Sequence, residues 1–379
     1  MKALLLVDKR RLEITDLPVP AIAPADLLVR VKACGICGSD VHGYDGSTGR
    51  RIPPIVMGHE AAGMVETVGQ DVRGFAPGDR VTFDSTVWCG VCPFCRSGQV
   101  NLCDNRRVLG VSCAEYRRQG CFAEYVAIPQ HIAYKLPDAL SFEKAAMIEA
   151  VSIAVHAVGR VPSLLGKSVA VVGAGMIGQL IAQVVRIAGA GSLIVLDVDE
   201  RRLEKARAAG ADLALNADAH DLQSTLLART AGRGADVAFE AVGASASFNT
   251  AFSCVRKGGS VILVGNTHPQ VQFPLQAAVT REISLFGSCA SAGEYPVCLD
   301  LLARGRISVD TLLSAVAPLE EGPAWFDRLY AREDAAQIIV AVAVVIHRPS
   351  QTGARFSMKA SMPSPASRAS MFVVITSLA

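Results

Sequence analysis

Four cysteines crowd one short stretch, CGVCPFCRSGQVNLC, at Cys89, Cys92, Cys95 and Cys103. The C-x-x-C-x-x-C-x7-C spacing supplies four soft donors, and four thiolates closing a tetrahedron suit a structural Zn2+ with no position left for another ligand. A redox pair would need a cysteine at a helix N-terminus, and an iron–sulfur cluster a different fourth spacing. A second set lies upstream in CGICGSDVHGYDG and VMGHEAAG. Cys37, His59 and Glu60 offer one thiolate, one imidazole and one carboxylate, a donor set for a zinc that keeps a position open for water or an alcohol oxygen. Ser39 and His42 follow Cys37 at +2 and +5, where they can pass a proton from an alcohol to solvent. Singly, each has an ordinary structural reading: Cys34 and Cys37 as small core thiols, His59 as a packed ring, Glu60 as a surface acid. Only the set points to chemistry.

A third motif, VAVVGAGMIGQLIAQ, places Gly173, Gly175 and Gly178 at G-x-G-x-x-G spacing, after an apolar strand and before an amphipathic helix. The first glycine makes the tight turn, the second admits a pyrophosphate to the backbone, and the third lets helix and strand pack closely. The turn from Gly173 and Gly175 through Met176 and Ile177 to Gly178 therefore reads as a dinucleotide site, with phosphate at the helix N-terminus. Asp197 ends the next strand, 19 residues after Gly178, where a carboxylate accepts ribose hydroxyls and repels a 2′-phosphate. That favours NAD over NADP. Arg201 and Arg202 weaken the preference if they reach the ribose, which makes Arg202 a cofactor candidate; their simpler reading is a solvated helix face.

These residues need elements to hold them. Residues 1 to about 135 read as short alternating strands cut by Gly and Pro (DLLVRVKA, AAGMVETVG, GDRVTF, FAEYVAI), a β-rich, barrel-like unit. At SFEKAAMIEAVSIAVHAVGRV the period becomes helical, with Ser141 as N-cap. From Lys167 to about Gly287, apolar strands alternate with helices, the pattern of a parallel sheet covered on both faces. VCLDLLARGRI and EEGPAWFDRLYARE are helical in pattern. Residues 347–379 carry four Lys or Arg, no acid and many Ser and Pro, and read as a poorly ordered tail.

At 379 residues the chain exceeds one core and predicts two domains. Hydrophobic residues make up 51% and the formal net charge is only +2, so neither a nucleic-acid nor a membrane-surface partner is expected, and a small molecule is. The start MKALLLVDKR lacks a secretory h-region, and the longest uncharged apolar run near the end, AAQIIVAVAVVI, is too short to span a bilayer. A cytoplasmic protein with cysteines as thiols or metal ligands is the resulting expectation.

The motifs CGICGSDVH, GHEAAGMVETVG, PGDRV, the four-cysteine lobe, GCFAEYVAIP and VAVVGAGMIGQLIAQ occur in the order seen in medium-chain dehydrogenases of the zinc alcohol dehydrogenase type, which this chain resembles over about residues 1–334. Within that family it is most similar to the sorbitol or L-iditol, sugar-alcohol phosphate and threonine dehydrogenases. The resemblance implies an α/β protein: a GroES-like catalytic domain (1–153) carrying the zinc lobe 89–103, a Rossmann domain (154–290), and a return to the catalytic domain (291–346). It implies two zinc ions per chain, NAD, a small alcohol substrate, and a homodimer or homotetramer. Cys37 and His59 become catalytic-zinc ligands, with Glu60 and the glutamate of IEAVSIAVHA, Glu149, as direct or water-mediated partners. Oxidation of a secondary alcohol, foremost a polyol, to the ketone is the implied reaction, with threonine, butanediol and sugar-alcohol phosphates as alternatives. A zinc-free NADPH quinone reductase and a non-catalytic nucleotide-binding protein are the rivals from other classes. Two departures stand out: Ala150 replaces a proline, and GSCASAGEYP places Ala290 and Ser291 where polyol enzymes carry a substrate-contacting arginine and aromatic.

Overall fold

A computed structural model describes residues 1–112, 116–331 and 372–373. The apolar run AAQIIVAVAVVI and nearly all of the 347–379 tail lie outside the described residues. No helix among the described residues is long and apolar enough to cross a membrane.

The N-terminal part builds a five-stranded antiparallel sheet in the order Ala133–Lys135, Arg80–Phe83, Glu60–Val68, Asp26–Gly35, Tyr125–Pro129, beside a three-stranded sheet of Arg11–Asp16, Lys2–Asp8 and Ile55–Val56. Alternate residues of Asp26–Gly35 point inward: Leu27, Val29, Val31 and Ala33 are fully buried, as a period of two requires. The core of Leu27, Val29 and Val31 takes in Phe83, Phe122 and, from far along the chain, Phe326 and Leu329 of the helix Gly322–Ala331. The chain thus returns to its first lobe after leaving it.

The register of the two central strands positions the first set of candidate ligands. Asp26–Gly35 and Glu60–Val68 run antiparallel with Gly35 opposite Glu60 and Cys34 opposite Ala61. The segment leaving one strand and the segment entering the other therefore emerge side by side. Cys37 lies on the first and His59 on the second.

The second lobe is a six-stranded parallel sheet in the order Leu213–Asn216, Ser192–Asp197, Ser168–Val172, Ala235–Glu240, Val255–Leu263, Ser284–Gly287. Val169, Ala170, Val171 and Val172 are all buried, as are Leu193 through Leu196, because helices cover both faces and leave no solvent side for polar alternation. The winding order across the sheet reverses between Ser168–Val172 and Ala235–Glu240, which opens a crevice at their carboxyl ends. The helix Met176–Ile187 starts at that point and buries Met176, Leu180, Ile181, Val184 and Val185 on one stripe.

Between the lobes, the expected helix forms in two pieces, Phe142–Ala146 and Ile148–Gly159, broken at Met147. Ser141 caps the first by accepting the Lys144 N–H. The break places Glu149 in the first turn of the second piece, where it is buried.

The third glycine of the turn is required by contact rather than by conformation, since a Cβ on Gly178 would overlap the Gly173 carbonyl oxygen. Gly178→Ala should consequently open the turn, and the rise in melting temperature that NADH gives the wild type should shrink or vanish; an undiminished rise would show that the turn tolerates the methyl group.

Candidate active site

Two clusters of metal-type donors form among the described residues, and both come from the sequence motifs. In each, the ligand atoms lie within 4.8 Å of one another: Cys89, Cys92, Cys95 and Cys103 in one, Cys37, His59 and Glu60 in the other. Glu149 stands outside the second set.

The four-cysteine lobe is shaped for thiolates. The Cys89 and Cys95 sulfurs are 4.0 Å apart, the Cys95 N–H points at Cys92 Sγ from 3.5 Å, and the Cys89 and Asn105 N–H groups point at Cys103 Sγ from 3.3 Å each. Backbone N–H groups of Val91 and Cys92 draw the Cys89 thiol down to about 6 and those of Cys95 and Asp104 lower Cys92, while burial and then the neighbouring Cys92 push Cys95 up to about 12, a penalty that a cation shared by the four sulfurs would relieve. Four converging sulfurs among backbone donors fit a tetrahedral Zn2+. The same lobe reaches the rest of the protein through Asn101, whose amide donates to the Cys289 carbonyl at 2.8 Å and lies 3.4 Å from His156 Nε2. His156 Nδ1 in turn meets Glu294 Oε1 at 2.7 Å.

In the second cluster, Glu60 is fully buried and neither of its carboxylate oxygens has a hydrogen-bond partner. An orphaned buried carboxylate costs several kcal/mol in the absence of a compensating cation. Burial first, then the neighbouring Cys37, Glu149 and Asp40, pushes its carboxyl well above the ordinary range, with His59 alone pulling the other way. Thiolate, imidazole and carboxylate together fit zinc. Glu149 is raised as well, mainly by burial, and keeps one oxygen unpartnered while Ser85 bonds to the carboxyl.

Sequence spacing does not single out the residue at the centre of this arrangement. Asp40, inside the CGSDVH motif, is fully buried on the helix Gly38–Gly43. Its Oδ2 accepts the Cys37 N–H at 3.3 Å and lies 3.4 Å from His59 Nδ1; its Oδ1 accepts Arg51 Nε and Nη2 at 3.1 and 2.8 Å. Burial works against its charge, but His59 and Arg51 outweigh it and hold the carboxyl below its usual value. His59 shows the converse: burial disfavours the imidazolium, and Asp40 more than restores it. A carboxylate behind a ligating histidine fixes which ring nitrogen faces the metal. A partial signal for Asp40 exists in the sequence, since an acid buried in a helix's first turn needs cationic partners, but which partners depends on the fold.

Ser39 is exposed and His42 half-buried on the same short helix. Next to Arg51, Arg50 faces the Asn266 carboxamide, which accepts from both Nη atoms at 3.1 Å when its oxygen is turned toward the guanidinium. That contact joins the loop carrying the cluster to the loop after Val255–Leu263, at the mouth of the parallel-sheet crevice. At the crevice itself, Asp197 is buried; Oδ2 accepts the Ala174 N–H at 2.7 Å and Oδ1 the Asp199 N–H at 2.9 Å. Arg202 is not the solvated residue its helix position suggests: its side chain is 12% exposed, with Nη1 3.4 Å from Asp197 Oδ2.

Ser291 also differs from a residue open to substrate. It is buried and donates to Asp84 Oδ2 at 3.0 Å, and burial raises this acid to about 7 against the pull of the Thr86 N–H and Ser291.

A Cys–His–Glu donor set on one lobe and a glycine-turn crevice on the other define a metal-type dinucleotide oxidoreductase. Residues 23–138 match the alcohol dehydrogenase GroES-like domain and 177–304 the zinc-binding dehydrogenase family. The chain is 35% identical over 326 residues to the sorbitol dehydrogenase of Bacillus subtilis (strain 168), covering 85% of this chain and 91% of that one. It is 34% identical over 316 residues to the L-idonate 5-dehydrogenase of Vitis vinifera, covering 82% and 85%. Among solved structures, the alcohol dehydrogenase of Thermus sp. ATN1 superposes with a TM-score of 0.82 at 30% identity, covering 99% of this chain and all of that one. The chain belongs to the zinc-dependent medium-chain dehydrogenases of the alcohol dehydrogenase superfamily, and it is an enzyme of that oxidoreductase class.

Because the lobe cysteines have no other covalent partner, Cys95→Ser should lower the melting temperature and remove about half of the bound zinc, as structural zinc contributes folding free energy. Unchanged melting and zinc content would remove the structural-metal role.

Proposed function

We propose that this protein oxidises a secondary alcohol of the polyol or sugar-alcohol class to the ketone, passing hydride to NAD. The observation that carries the reading is the convergence of Cys37, His59 and the orphaned Glu60 carboxylate into one donor set, in a chain whose other lobe carries the glycine turn. A zinc ion held by these three would supply the Lewis acidity that lowers the pKa of an alcohol hydroxyl. Ser39, exposed beside Cys37, takes the hydroxyl proton, and His42, one turn further along the same helix, hands it on to solvent. Glu149, buried and close enough to Glu60 to raise its carboxyl, adds negative charge that a bound cation and His59 would offset. The turn from Gly173 to Gly178, with Met176 and Ile177, receives the pyrophosphate, and the closed fit of glycine against backbone there excludes side chains from its path. Asp197 at the strand end faces the ribose, its charge partly met by Arg202.

The polyol class draws its support from the sorbitol and L-idonate dehydrogenases that this chain resembles. Ser291 supports a second reading, a shorter diol such as butanediol, because its hydroxyl is already committed to Asp84 and offers a substrate no arginine or aromatic grip. Self-association to a dimer or tetramer belongs to the same proposal on family grounds, and sedimentation of the full chain measures it.

The deciding experiment follows NADH formation from NAD with free polyols, polyol phosphates, threonine, butanediol and simple secondary alcohols. Turnover confined to polyols is the expected result; turnover on the diol alone would move the assignment to the second reading, and none at all in zinc-loaded protein would refute alcohol oxidation. In the same assay Cys37→Ser should abolish turnover while NADH binding stays within about twofold of wild type, since the metal and dinucleotide sites lie on different lobes. Retained turnover would exclude Cys37 as a ligand. Asp197→Ala should raise the NADP-to-NAD ratio of kcat/KM by at least about tenfold through loss of 2′-phosphate repulsion, and an unchanged ratio would take Asp197 out of cofactor choice.

A further inference from the structure

Arg51 takes no part in the proton or hydride transfer, yet its side chain is buried, at 3% exposure, where no other arginine or lysine among the described residues is. Its guanidinium makes three bonds into the candidate site. Nε and Nη2 both donate to Asp40 Oδ1, and Nη2 also lies 3.3 Å from Ser39 Oγ. The fold makes room for its stem at one point: a Cβ on Gly43, in the last turn of the helix Gly38–Gly43, would overlap Arg51 Cγ.

We propose that Arg51 is a positioning residue for the dehydrogenase reaction, fixing Ser39, Cys37 and His59 relative to one another through a single planar guanidinium. The inference rests on the alcohol-oxidation reading. Asp40 alone orients the Cys37 amide and the His59 ring, but a carboxylate on a six-residue helix is free to rotate about its own side-chain bonds. Two donations to the same oxygen, Oδ1, leave Oδ2 directed at Cys37 and His59. The third donation, to Ser39 Oγ, occupies one acceptor lone pair of the hydroxyl and turns its O–H away from Arg51, leaving the second lone pair to take up an alcohol's proton. A lysine cannot copy this, because an ammonium lacks the fork that spans a carboxylate oxygen and a hydroxyl at fixed angles.

The test uses two variants of the full chain. Arg51→Lys keeps the charge and loses the fork. Gly43→Ala changes no charge and no site residue, and displaces the Arg51 stem by its new methyl group. Each is loaded with Co2+ for its visible absorption spectrum and with Zn2+ for kinetics, with NADH binding and melting measured alongside. Arg51→Lys should alter the cobalt band positions, reduce kcat about tenfold or more with a smaller change in KM, and leave NADH affinity within about twofold. Gly43→Ala should move spectrum and kcat in the same direction by a smaller factor, which keeps the test alive if the lysine variant fails to fold. A cobalt spectrum identical to wild type in the folded variants, or kcat per metal-loaded site unchanged, would overturn the proposal and leave Arg51 a structural ion pair. Failure of the wild type to oxidise any alcohol would refute the reaction instead, while the spectra would still report whether Arg51 shapes the donor set.

Discussion

With Gly35 opposite Glu60, the antiparallel strands Asp26–Gly35 and Glu60–Val68 deliver the thiolate-bearing segment and the imidazole–carboxylate pair to the same end of a sheet, and the rest of the site depends on that register. A slip by one residue would turn every side chain of one strand to the other face, sending Val29 and Val31 out of the core along with the ligands. The metal geometry is therefore held by the burial of apolar side chains that never approach it. Strand registers are strongly specified where one face is buried, and here the specification is inherited by the chemistry.

A second layer of constraint is electrostatic. Glu60, Asp40 and Glu149 place three carboxyls in one buried neighbourhood, opposed within the protein by His59 and Arg51. Removing one partner of a buried ion pair typically costs about 3–5 kcal/mol, whereas the intact pair contributes little to stability. The arrangement is accordingly costly to the fold and useful to the site, which is how a cation-binding centre differs from a core. The asymmetry between Asp40, bonded on both oxygens, and Glu60, bonded on neither, separates the acid that orients from the acid that waits for a cation.

Much of this was legible in the sequence because local physics and tertiary physics agree there. Short unbroken apolar runs such as VAVV and LIVL, rich in β-branched residues and bounded by glycine or aspartate, read as strands buried on both faces, and the glycine turn carries its own reason in the overlap a Cβ would create at Gly178. The cysteine spacing likewise survives folding, since its four ligands sit within one lobe. What the sequence hid was set by long-range contact. Arg51 reads as one of two adjacent arginines in a polar loop until the register folds it under Gly43. Ser291 reads as a substrate position until Asp84, more than two hundred residues earlier, claims its hydroxyl. Arg202 reads as solvated until Asp197 draws it in. The break at Met147 left no mark in the apolar pattern, because both pieces bury the same kind of surface.

Asp197 links cofactor choice to the integrity of the turn that binds the cofactor. Its two oxygens serve the N–H groups of Ala174, inside the glycine turn, and of Asp199, which caps the helix Glu200–Ala208. An unsatisfied buried N–H costs about 1–3 kcal/mol. A descendant of this chain that gave up the carboxylate to accept a phosphorylated ribose would leave those amides without their acceptors, so a shift of cofactor made at this position alone carries a loss of stability that changes in the turn and the cap would have to restore.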